Sequence, residues 1–407
     1  FRLIERTFQE FDQKHLQTQK KKTFANHHFK YYFKEYSKDV FELPYSDKGN
    51  KIYYSNVLQK NFEKIPGSPI GYWVSEKILT CFAGNLALSA VAKPCVGLQT
   101  ADNARFLRYW SEISLNRIGF GCKNAEEALG SKKKWFPHNK GGVFRKWYGD
   151  QDIVVNWEKD GFEIKNFKDN KGKLLSRPQN LNYYFKSAAS WSVISSGSLN
   201  FRFYPKGFIP NMCGMSCYCE DENINIYILG LSNSIVASTL FDIMNPTLNL
   251  SNGVFAKLPF VIGNQTYINN LVFHNISISK QDWDAHETSW DFQKNELVRL
   301  KDEGFYSKVT IENEPVDIGI TLCELCLHYK MQWEAKFNEL HVNEEKLNRE
   351  FIEIYGLQDE LTPDVPLDEI TILQQGEISI EDNAIVWHDD VLMKQLISYS
   401  VGCMMGR

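Results

Sequence analysis

The residues best suited to chemistry lie in one stretch, 132–148, which reads KKKWFPHNKGGVFRKWY. It combines six lysine or arginine residues, a histidine and five aromatic residues around the pair Gly141-Gly142. Cations bind phosphates, aromatic rings stack on bases, and glycine lets a backbone approach a ligand closely. The stretch therefore predicts a surface loop that contacts DNA; a solvated basic hairpin is the alternative. We expect phosphate contacts from Lys132, Lys133, Lys134, Lys140, Arg145 and Lys146, and from His138, which is expected to contact phosphate rather than transfer protons.

Two further polar segments carry side chains that can read base edges. Residues 97–106 read GLQTADNARF, and residues 176–180 read SRPQN. Amide and guanidinium groups make the paired hydrogen bonds that distinguish bases in the major groove. The alternative for the first segment is that Asp102 and Asn103 only cap a helix that starts near Ala104. Six residues of these segments are expected to contact DNA. Five of them should lie near the bases: Gln99, Asn103, Arg105, Arg177 and Gln179. The sixth is Thr100.

Motifs for catalysis, nucleotide cradling and metal binding are missing or incomplete. Gly119 and Gly121 lack the third glycine of a dinucleotide loop, and there is no GxxxxGK, GxSxG or HExxH sequence. The string NPTL at 245–248 lacks the second proline and the aromatic residue of an amino-methyltransferase loop. Cys323 and Cys326 have CxxC spacing but no second pair nearby. Cys213, Cys217 and Cys219 could complete a metal site with them, but buried free thiols are favoured. No catalytic or metal-binding residue is therefore predicted.

The charge is divided unevenly along the 407 residues, although the net charge is only −4. Residues 86–219 contain 20 basic and 10 acidic residues, whereas residues 281–407 contain 10 basic and 27 acidic residues. A basic middle suits a polyanion such as DNA, and an acidic end does not. No apolar run approaches the roughly 20 residues of a membrane span. Nine scattered cysteines, an odd number, favour a reduced, cytoplasmic interior.

Hydrophobic periodicity predicts an α+β chain. Residues 1–40 have apolar residues at helical spacing. A turn is predicted at 65–69 and a short helix at 70–82. From 86 to 279 the pattern is mostly strand and loop. Strands are predicted at 151–157, around Phe162 to Phe167 and at 225–229, followed by a helix at 232–244. The last 120 or so residues are expected to form a helical bundle, with a long helix at 317–355 and a final one at 389–405. The expected divisions are 1–64, 65–282 and 283–407.

Several long segments carry a family resemblance. They include IPGSPIGYWVSEK (65–77), GLQTADNARFLRYW (97–110), KKWFPHNKGGVFRKWYG (133–149), VVNWEKDG (154–161) and YILGLSNS (227–234). NPTLNLSNGVFAKLP (245–259), LNREFIEIYGLQDELTPDVPLDEITI (347–372) and LISYSVGCMMGR (396–407) agree. Together they resemble the PglX family, the adenine-specific DNA methyltransferases of type 1 BREX phage-defence systems. The domain layout of that family is similar to that of TaqI-like methyltransferases and type IIG restriction-modification enzymes.

The resemblance implies that the chain is a carboxyl-terminal fragment of a longer enzyme. The upstream part would bind S-adenosyl-L-methionine and carry the catalytic motif, which is absent here. Residues 1–64 would then be the tail of the methyltransferase domain, 65–282 a DNA target-recognition domain, and 283–407 a helical region. Double-stranded DNA is the expected partner, and the acidic helices could bind other phage-defence proteins.

Two other classes of function remain open from the sequence. The fragment could be a specificity module in a protein without methyltransferase activity of its own. It could instead be a protein-interaction scaffold whose working surface is the acidic helices.

Overall fold

The computed structural model describes residues 59–406, apart from 70, 72, 195–197, 246, 248, 305, 306, 312, 313 and 319. The helical pattern predicted for residues 1–40 lies outside them, as does nearly all of the predicted segment 1–64. The chain divides into two compact units. The smaller one contains residues 59–90 and Thr239–Val261, and the larger one contains Val91–Ser238 and the residues from Ile262 onward. The three divisions expected from the sequence stay predictions.

The strands are mostly short, and many lie in the basic middle of the sequence. They are β1 (Leu86–Ala87), β2 (Lys93–Cys95), β3 (Leu107–Tyr109), β4 (Trp135–Asn139), β5 (Ile153–Asn156), β6 (Ala188–Ser192), β7 (Phe201–Tyr204), β8 (Ile209–Pro210), β9 (Gly214–Tyr218), β10 (Pro259–Phe260), β11 (Ser307–Ile311), β12 (Glu314–Ile318), β13 (Ile378–Glu381) and β14 (Ala384–Trp387).

The longest helices lie in the last third of the chain. The helices are α1 (Glu76–Ala83), α2 (Asn103–Phe106), α3 (Ala125–Gly130), α4 (Glu158–Lys165), α5 (Glu222–Ser232), α6 (Ile235–Met244), α7 (Asn252–Phe255), α8 (Gln265–Asp284), α9 (Glu296–Asp302), α10 (Leu322–Tyr355) and α11 (Asp389–Met404). Short 3-10 turns occur at Gln59–Lys64, Leu88–Ala90, Trp110–Glu112, Leu115–Arg117, Leu181–Tyr183 and Leu367–Glu369. This mixture of helices and separate sheets confirms the α+β class.

Two four-stranded sheets form the middle of the larger unit. One has the order β3-β5-β4-β8 and the other β2-β9-β6-β7. Neighbouring strands are antiparallel, except β4 and β8, which are parallel. Backbone bridges continue the first sheet, because Leu98 pairs with Asn211 just after β8 and Gln99 pairs with Arg177. In the smaller unit, β1 pairs with β10. Hairpins β11–β12 and β13–β14 lie in the acidic part.

The strand predicted at 151–157 is present as β5 and is buried on both faces. Val155 lies opposite Phe136 of β4 and belongs to the same apolar cluster as Trp157. Val154 belongs to a second cluster, with Trp135. The alternation in the sequence therefore identified the strand correctly, and both of its faces contribute to the core.

Two segments predicted as strands are helical instead. Residues 225–229 lie in α5, and Phe162 and Ile164 lie in α4. Helix α5 is buried continuously from Asn225 to Ser232, so its sequence lacks the polar face of a surface helix. A short apolar run of this kind does not distinguish a buried strand from a buried helix. The next helix begins at Ile235 rather than Ser232 and ends at Met244, as predicted.

The long amphipathic helix is confirmed, with a later start. It begins at Leu322 because the residues from Glu314 to Ile318 form β12, and Thr321 and Glu324 make a capping box at its first turn. It ends at Tyr355, where Gly356 takes a left-handed conformation with a φ of +68°. Its buried face includes the predicted residues Tyr329, Trp333, Phe337, Leu340, Leu347 and Phe351.

The acidic part is less purely helical than expected, and the middle is more helical. Helix α8 is 20 residues long, and its part up to Ser279 lies in the region predicted as mostly strand and loop. Its buried face includes Asn275, Ser279 and Asp282, so polar residues interrupt the apolar stripe that would reveal it. Among the described residues, no single helix is long and apolar enough to cross a membrane; α5 and α6 meet that test only as a pair, which is bent by 74°.

Candidate nucleic-acid interface

Most of the basic-aromatic stretch lies in the core, which corrects the prediction of a surface loop. Residues 135–139 form β4 and are all buried, and residues 145–149 are buried too. Trp135, Phe136, Trp147 and Tyr148 are each at most 6% exposed, so these rings pack against the protein instead of stacking on bases. Two parts of the stretch reach the surface: the lysines before β4 and the turn that begins at Lys140.

His138 is a buried, neutral residue and not a phosphate contact. Its Nδ1 lies 2.8 Å from the carbonyl oxygen of Ile209, and its Nε2 lies 2.9 Å from the amide nitrogen of Asn211. This pattern fits a proton on Nδ1 and a lone pair on Nε2. Burial, together with the charge of nearby Lys140, lowers the pKa of His138 to about 3, although the hydrogen bond to the Ile209 carbonyl acts in the opposite direction. The ring therefore joins β4 to β8 and carries no charge at neutral pH.

Arg145 and Lys146 are also corrected, because both form buried ion pairs. The Arg145 side chain is 3% exposed, and its Nη1 lies 3.0 Å from Oδ2 of Asp282. The Lys146 Nζ lies 2.8 Å from Oε2 of Glu344 and 3.3 Å from Oε2 of Glu369. Burial by itself lowers the pKa of Lys146, but the two carboxylates raise it above its ordinary value. The acidic part of the chain thus neutralises both cations, and neither faces a phosphate.

The turn at 97–106 contains both a helix cap and exposed polar groups. The Asp102 side chain accepts a hydrogen bond of 3.0 Å from the Arg105 N–H, so Asp102 caps α2 as the alternative interpretation predicted. Asn103 is exposed, and its Oδ1 accepts a hydrogen bond of 2.5 Å from the buried Thr100 hydroxyl. The cap and the hydroxyl hold the Asn103 amide at the surface of this turn.

The structure joins the first and third predicted loops through their backbones. Gln99 and Arg177 exchange N–H···O bonds of 3.0 and 2.8 Å. Arg177 and Gln179 are exposed, and Gln99 is half-buried. The Asn180 side chain donates a 2.8 Å hydrogen bond to the Val96 carbonyl. The loops therefore form one surface, with Arg177 and Gln179 in positions that a ligand can reach.

Arg105 faces solvent but already has a carboxylate partner. Its Nη2 and Nε lie 2.7 and 2.9 Å from Oε1 of Glu163. The other oxygen of Glu163 accepts a hydrogen bond from Asn156, and the Arg105 guanidinium lies 5.0 Å from the Phe167 ring centre. Because both charged side chains are about half exposed, the pair is screened by water and can exchange partners.

The lysines before β4 form a second basic edge. Lys132 is exposed, whereas Lys133 and Lys134 are half-buried. The Lys133 ammonium group donates to the Asn116 carbonyl, and the Lys134 Nζ lies 5.9 Å from the Trp135 ring centre. Exposed Arg117 is a neighbour, because its carbonyl accepts the Lys134 N–H. The ammonium groups of Lys133 and Lys134 therefore already contact the protein, and Lys132 is the most exposed of the three lysines.

Lys140 and Asn103, from two different predicted loops, line one open groove of about 310 Å³. Helix α2 and strand β3 supply one wall, and the turn after β4 supplies the other. The apolar lining is Ala104, Leu107 and Ile153, and the polar lining is Asn103, Arg108, Tyr109, Glu112 and Lys140. The lining thus combines an amide, two cations, a carboxylate and an aromatic ring with three apolar side chains.

Hydrogen bonds fix the walls of this groove. The Arg108 Nη1 donates to the carbonyls of Ala104 and Leu107, and its guanidinium lies 5.8 Å from the Trp135 ring centre. Glu112 accepts the Tyr109 N–H at 2.8 Å. Burial raises the pKa of nearby Asp152, while the charge of Lys140 acts in the opposite direction. The Lys140 cation therefore lies near a carboxylate, that of Asp152, while Glu112 lines the same groove.

The Gly141-Gly142 pair lets the Lys140 turn lie close to the sheet. Gly141 has a φ of +79°, and a Cβ on Gly142 would lie 2.1 Å from Oδ2 of Asp150. The Ser192 hydroxyl binds the Gly142 N–H at 3.1 Å and its carbonyl at 3.2 Å. The same hydroxyl accepts a hydrogen bond from Arg202, which is ion-paired with Asp150. The positive φ of Gly141 and the close Asp150 side chain at Gly142 account for these glycines.

Sequence reasoning missed Arg108, Tyr109 and Arg117. Tyr109 is 57% exposed although it lies in a strand, because β3 is an edge strand and Tyr109 is its last residue. The signal available was the polar-aromatic string RYW at 108–110, next to a segment already selected. Among the described residues, no group of three or more His, Cys, Asp or Glu residues is arranged to hold a metal ion.

Comparisons with known proteins identify relatives for most of the chain. No protein-family model matches it. It is 34% identical over 360 residues, 88% of its length, to the adenine-specific methyltransferase PglX of Lacticaseibacillus casei strain Zhang. It is also 34% identical over 363 residues, 87% of its length, to the adenine-specific methyltransferase BrxX of Escherichia coli O9:H4 strain HS. The chain spans only 28% and 27% of the length of these relatives. The resemblance carried by the sequence motifs is confirmed.

Proposed function

We propose that this chain, a relative of the PglX and BrxX adenine-specific methyltransferases, is the DNA-recognition part of such an enzyme. It would bind double-stranded DNA at a short sequence and present the adenine to a catalytic domain elsewhere in the protein. That domain, and not this chain, would hold S-adenosyl-L-methionine and the catalytic residues. Phage defence in the cytoplasm is the setting that we propose for the whole protein.

The observation that carries this proposal is the groove between the Lys140 turn and α2. Three features needed for DNA binding occur there or beside it: cations for phosphates, amides for base edges, and an exposed aromatic ring. Lys140 and Arg108 line the groove, and Arg108 and Lys134 both lie at the Trp135 ring, so the lysines before β4 start close to the groove. Phosphate contacts position a duplex, and base contacts select its sequence.

We divide the remaining candidate residues between those two roles. Lys132, Lys133, Lys134 and Lys140 are proposed as phosphate contacts. Gln99, Asn103, Arg105, Arg177 and Gln179 are proposed near bases, with Thr100 holding the Asn103 amide. Arg105 would exchange Glu163 for DNA, which is feasible because that ion pair is exposed. Arg145 and Lys146 are left out of the proposed interface because their charges are buried and paired.

Substitution of Lys140 tests the phosphate role. In the intact protein, Lys140→Ala should weaken binding to all DNA sequences alike and reduce the slope of log K against log salt by about one. The matched control is Lys301→Ala, which removes an exposed lysine from α9 in the acidic part of the chain. Fluorescence anisotropy at several salt concentrations measures both. An unchanged salt slope for Lys140→Ala would contradict the assignment.

Substitution of Asn103 tests base recognition separately from affinity. Asn103→Ala should relax the choice of target at one position by about 1–3 kcal/mol while leaving the salt slope unchanged. Single-molecule sequencing of genomic DNA reports the methylated sequence for each variant of the intact protein. The same methylated sequence in wild type and variant would remove Asn103 from the reading surface.

The acidic helices are proposed as a separate surface for protein partners. A protein-interaction scaffold without DNA binding would leave Lys140→Ala without effect, and wild type would fail to shift DNA at low salt. A specificity module without an attached methyltransferase would bind DNA but leave no methylated adenine in the genome. The two experiments above therefore distinguish all three functions.

A further inference from the structure

Tyr109 places an exposed aromatic ring in the groove. We propose that the groove takes one unpaired nucleotide of a distorted or single-stranded DNA, whose base stacks on Tyr109. This inference rests on the proposed function, because it assumes that the ligand is DNA. It assigns Tyr109 as a stacking platform and Arg108 and Lys140 as the groups that hold the flanking phosphates.

The position of Tyr109 is rigid, as a stacking platform requires. Tyr109 pairs with Ile153 in the antiparallel ladder between β3 and β5. Its N–H donates to Glu112, and the following N–H, of Trp110, donates to the Asp152 carbonyl at 2.9 Å. The backbone is thus held on both sides, while 57% of the residue surface stays accessible. The backbone that carries the ring is therefore already ordered before a base stacks on it.

The chemistry around the ring fits a nucleotide. Leu107 and Ile153 provide an apolar floor, and the Asn103 amide can both donate and accept hydrogen bonds at a base edge. Arg108 uses Nη1 for two backbone carbonyls, which leaves its other N–H groups for a phosphate. Lys140 supplies a second cation to the same groove. Stacking on an aromatic ring beside cations is how proteins bind single-stranded nucleic acid.

The size and openness of the groove indicate an unpaired nucleotide rather than a base pair. A volume of about 310 Å³ lies at the small end of ligand sites, roughly 300–1,000 Å³. Bases inside a duplex have both faces covered by their neighbours, so only an unstacked base offers a face to Tyr109. The groove is open to solvent, so it does not form the closed pocket in which a flipped base undergoes chemistry. The nucleotide that it takes is therefore a different one from the methylated adenine.

The test compares two DNA probes with the intact protein. One is a fully paired duplex containing 2-aminopurine, and the other is the same duplex with that 2-aminopurine unpaired in a one-nucleotide bulge. We expect the bulged probe to bind about 5- to 100-fold more tightly, with quenching of 2-aminopurine fluorescence. Tyr109→Ala should abolish the preference, and Tyr109→Phe should retain it because the ring remains.

Controls separate this inference from the proposed function. Tyr267→Ala removes another exposed tyrosine, on α8, and should leave the preference unchanged. Lys140→Ala should weaken binding of both probes. Equal affinity for the two probes, or a preference that survives Tyr109→Ala, overturns the Tyr109 platform while DNA recognition stands. Failure of both probes to bind at low salt overturns DNA recognition and the platform together.

Discussion

At the scale of residues, the basic side chains of one stretch divide into two groups with different roles. Lys140 reaches the groove surface, whereas Lys146, six positions later, is 4% exposed and paired with Glu344. A buried cation without a partner is strongly unfavourable, so burial and pairing occur together. Glu344 lies 198 positions away in the sequence, so the sequence around Lys146 gives no sign that its charge is paired. All the cations of the stretch were therefore predicted to be free to contact phosphate.

Removal of Lys146 should affect stability more than DNA binding. Lys146→Met leaves the Glu344 carboxylate buried without its cation, which typically costs about 3–5 kcal/mol. Lys140→Met, on the surface, should change the free energy of unfolding by less than about 0.5 kcal/mol. Urea unfolding followed by circular dichroism measures both variants. Similar unfolding free energies for the two would show that the buried pair has no structural role.

At the scale of elements, β4 and the turn after it place the interface. Strand β4 is buried between β5 and β8, so the chain leaves the core at Asn139 and must return at Arg145. The Asn139 side chain accepts the Gly141 N–H at 3.1 Å, and Ser192 holds Gly142 on both backbone groups. The short exposed turn therefore has a defined shape, and Lys140 a defined position.

Addition of one methyl group to this turn should disturb it. A Cβ at Gly142 would lie 2.1 Å from the Asp150 carboxylate, which is paired with buried Arg202, so Gly142→Ala must displace one of them. Overpacking of this kind costs about 1–3 kcal/mol, and DNA binding should weaken as Lys140 shifts. The control is Gly130→Ala, at a site with nothing within 4 Å. Thermal melts and anisotropy report both effects; full stability and affinity in Gly142→Ala would contradict this packing argument.

At the scale of the whole larger unit, buried polar contacts join the basic middle to the acidic end. The Lys146 N–H donates to Thr371 at 2.9 Å, and the Leu373 N–H donates to Asp282 at 2.8 Å. Asp282 also binds Arg145, so one carboxylate connects three segments of the chain. The acidic part therefore packs against the segments that carry the groove, and some of its carboxylates form ion pairs inside the protein.

A second buried pair should make the stability of this unit depend on pH. Burial by itself lowers the pKa of His286, but its hydrogen bond to Glu377 and the charges of Glu377 and Asp282 raise it above 6.5. Burial raises the pKa of Glu377, but His286 and Gln395 lower it below 4.5. The histidine contribution is complete below pH 6.5 and is lost as pH rises through its folded pKa. The glutamate contribution is complete above pH 4.5 and is lost on acidification.

The pair should therefore stabilise the fold most between about pH 4.5 and 6.5. The difference in unfolding free energy between wild type and His286→Gln should be larger at pH 5.5 than at pH 9. His274→Gln, at an exposed pair with Glu339, is the matched control and should differ little from wild type at either pH. A difference for His286→Gln that does not vary with pH would show that the pKa of His286 is the same in the folded and unfolded chains, and would contradict the raised pKa.

The sequence by itself determined the local elements with strong periodicity and the family. Strand β5, the end of α10 at Gly356 and helix α11 follow from spacing, capping and turn chemistry, which act between near neighbours. The family resemblance follows from long matching segments. Helices α5 and α8 were missed because an all-apolar or mixed buried face removes the amphipathic signal.

Only the tertiary structure decided which basic residues face solvent. Lys140 and Arg145 have equivalent sequence surroundings, but Arg145 meets Asp282 across 137 positions and is buried by that contact. Likewise, Asn103 and Lys140 share a groove because α2 and the β4 turn meet across the sheet, and Tyr109 joins them as an edge residue. Burial and ion pairing depend on contacts between distant segments, and a sequence pattern records only what is nearby along the chain.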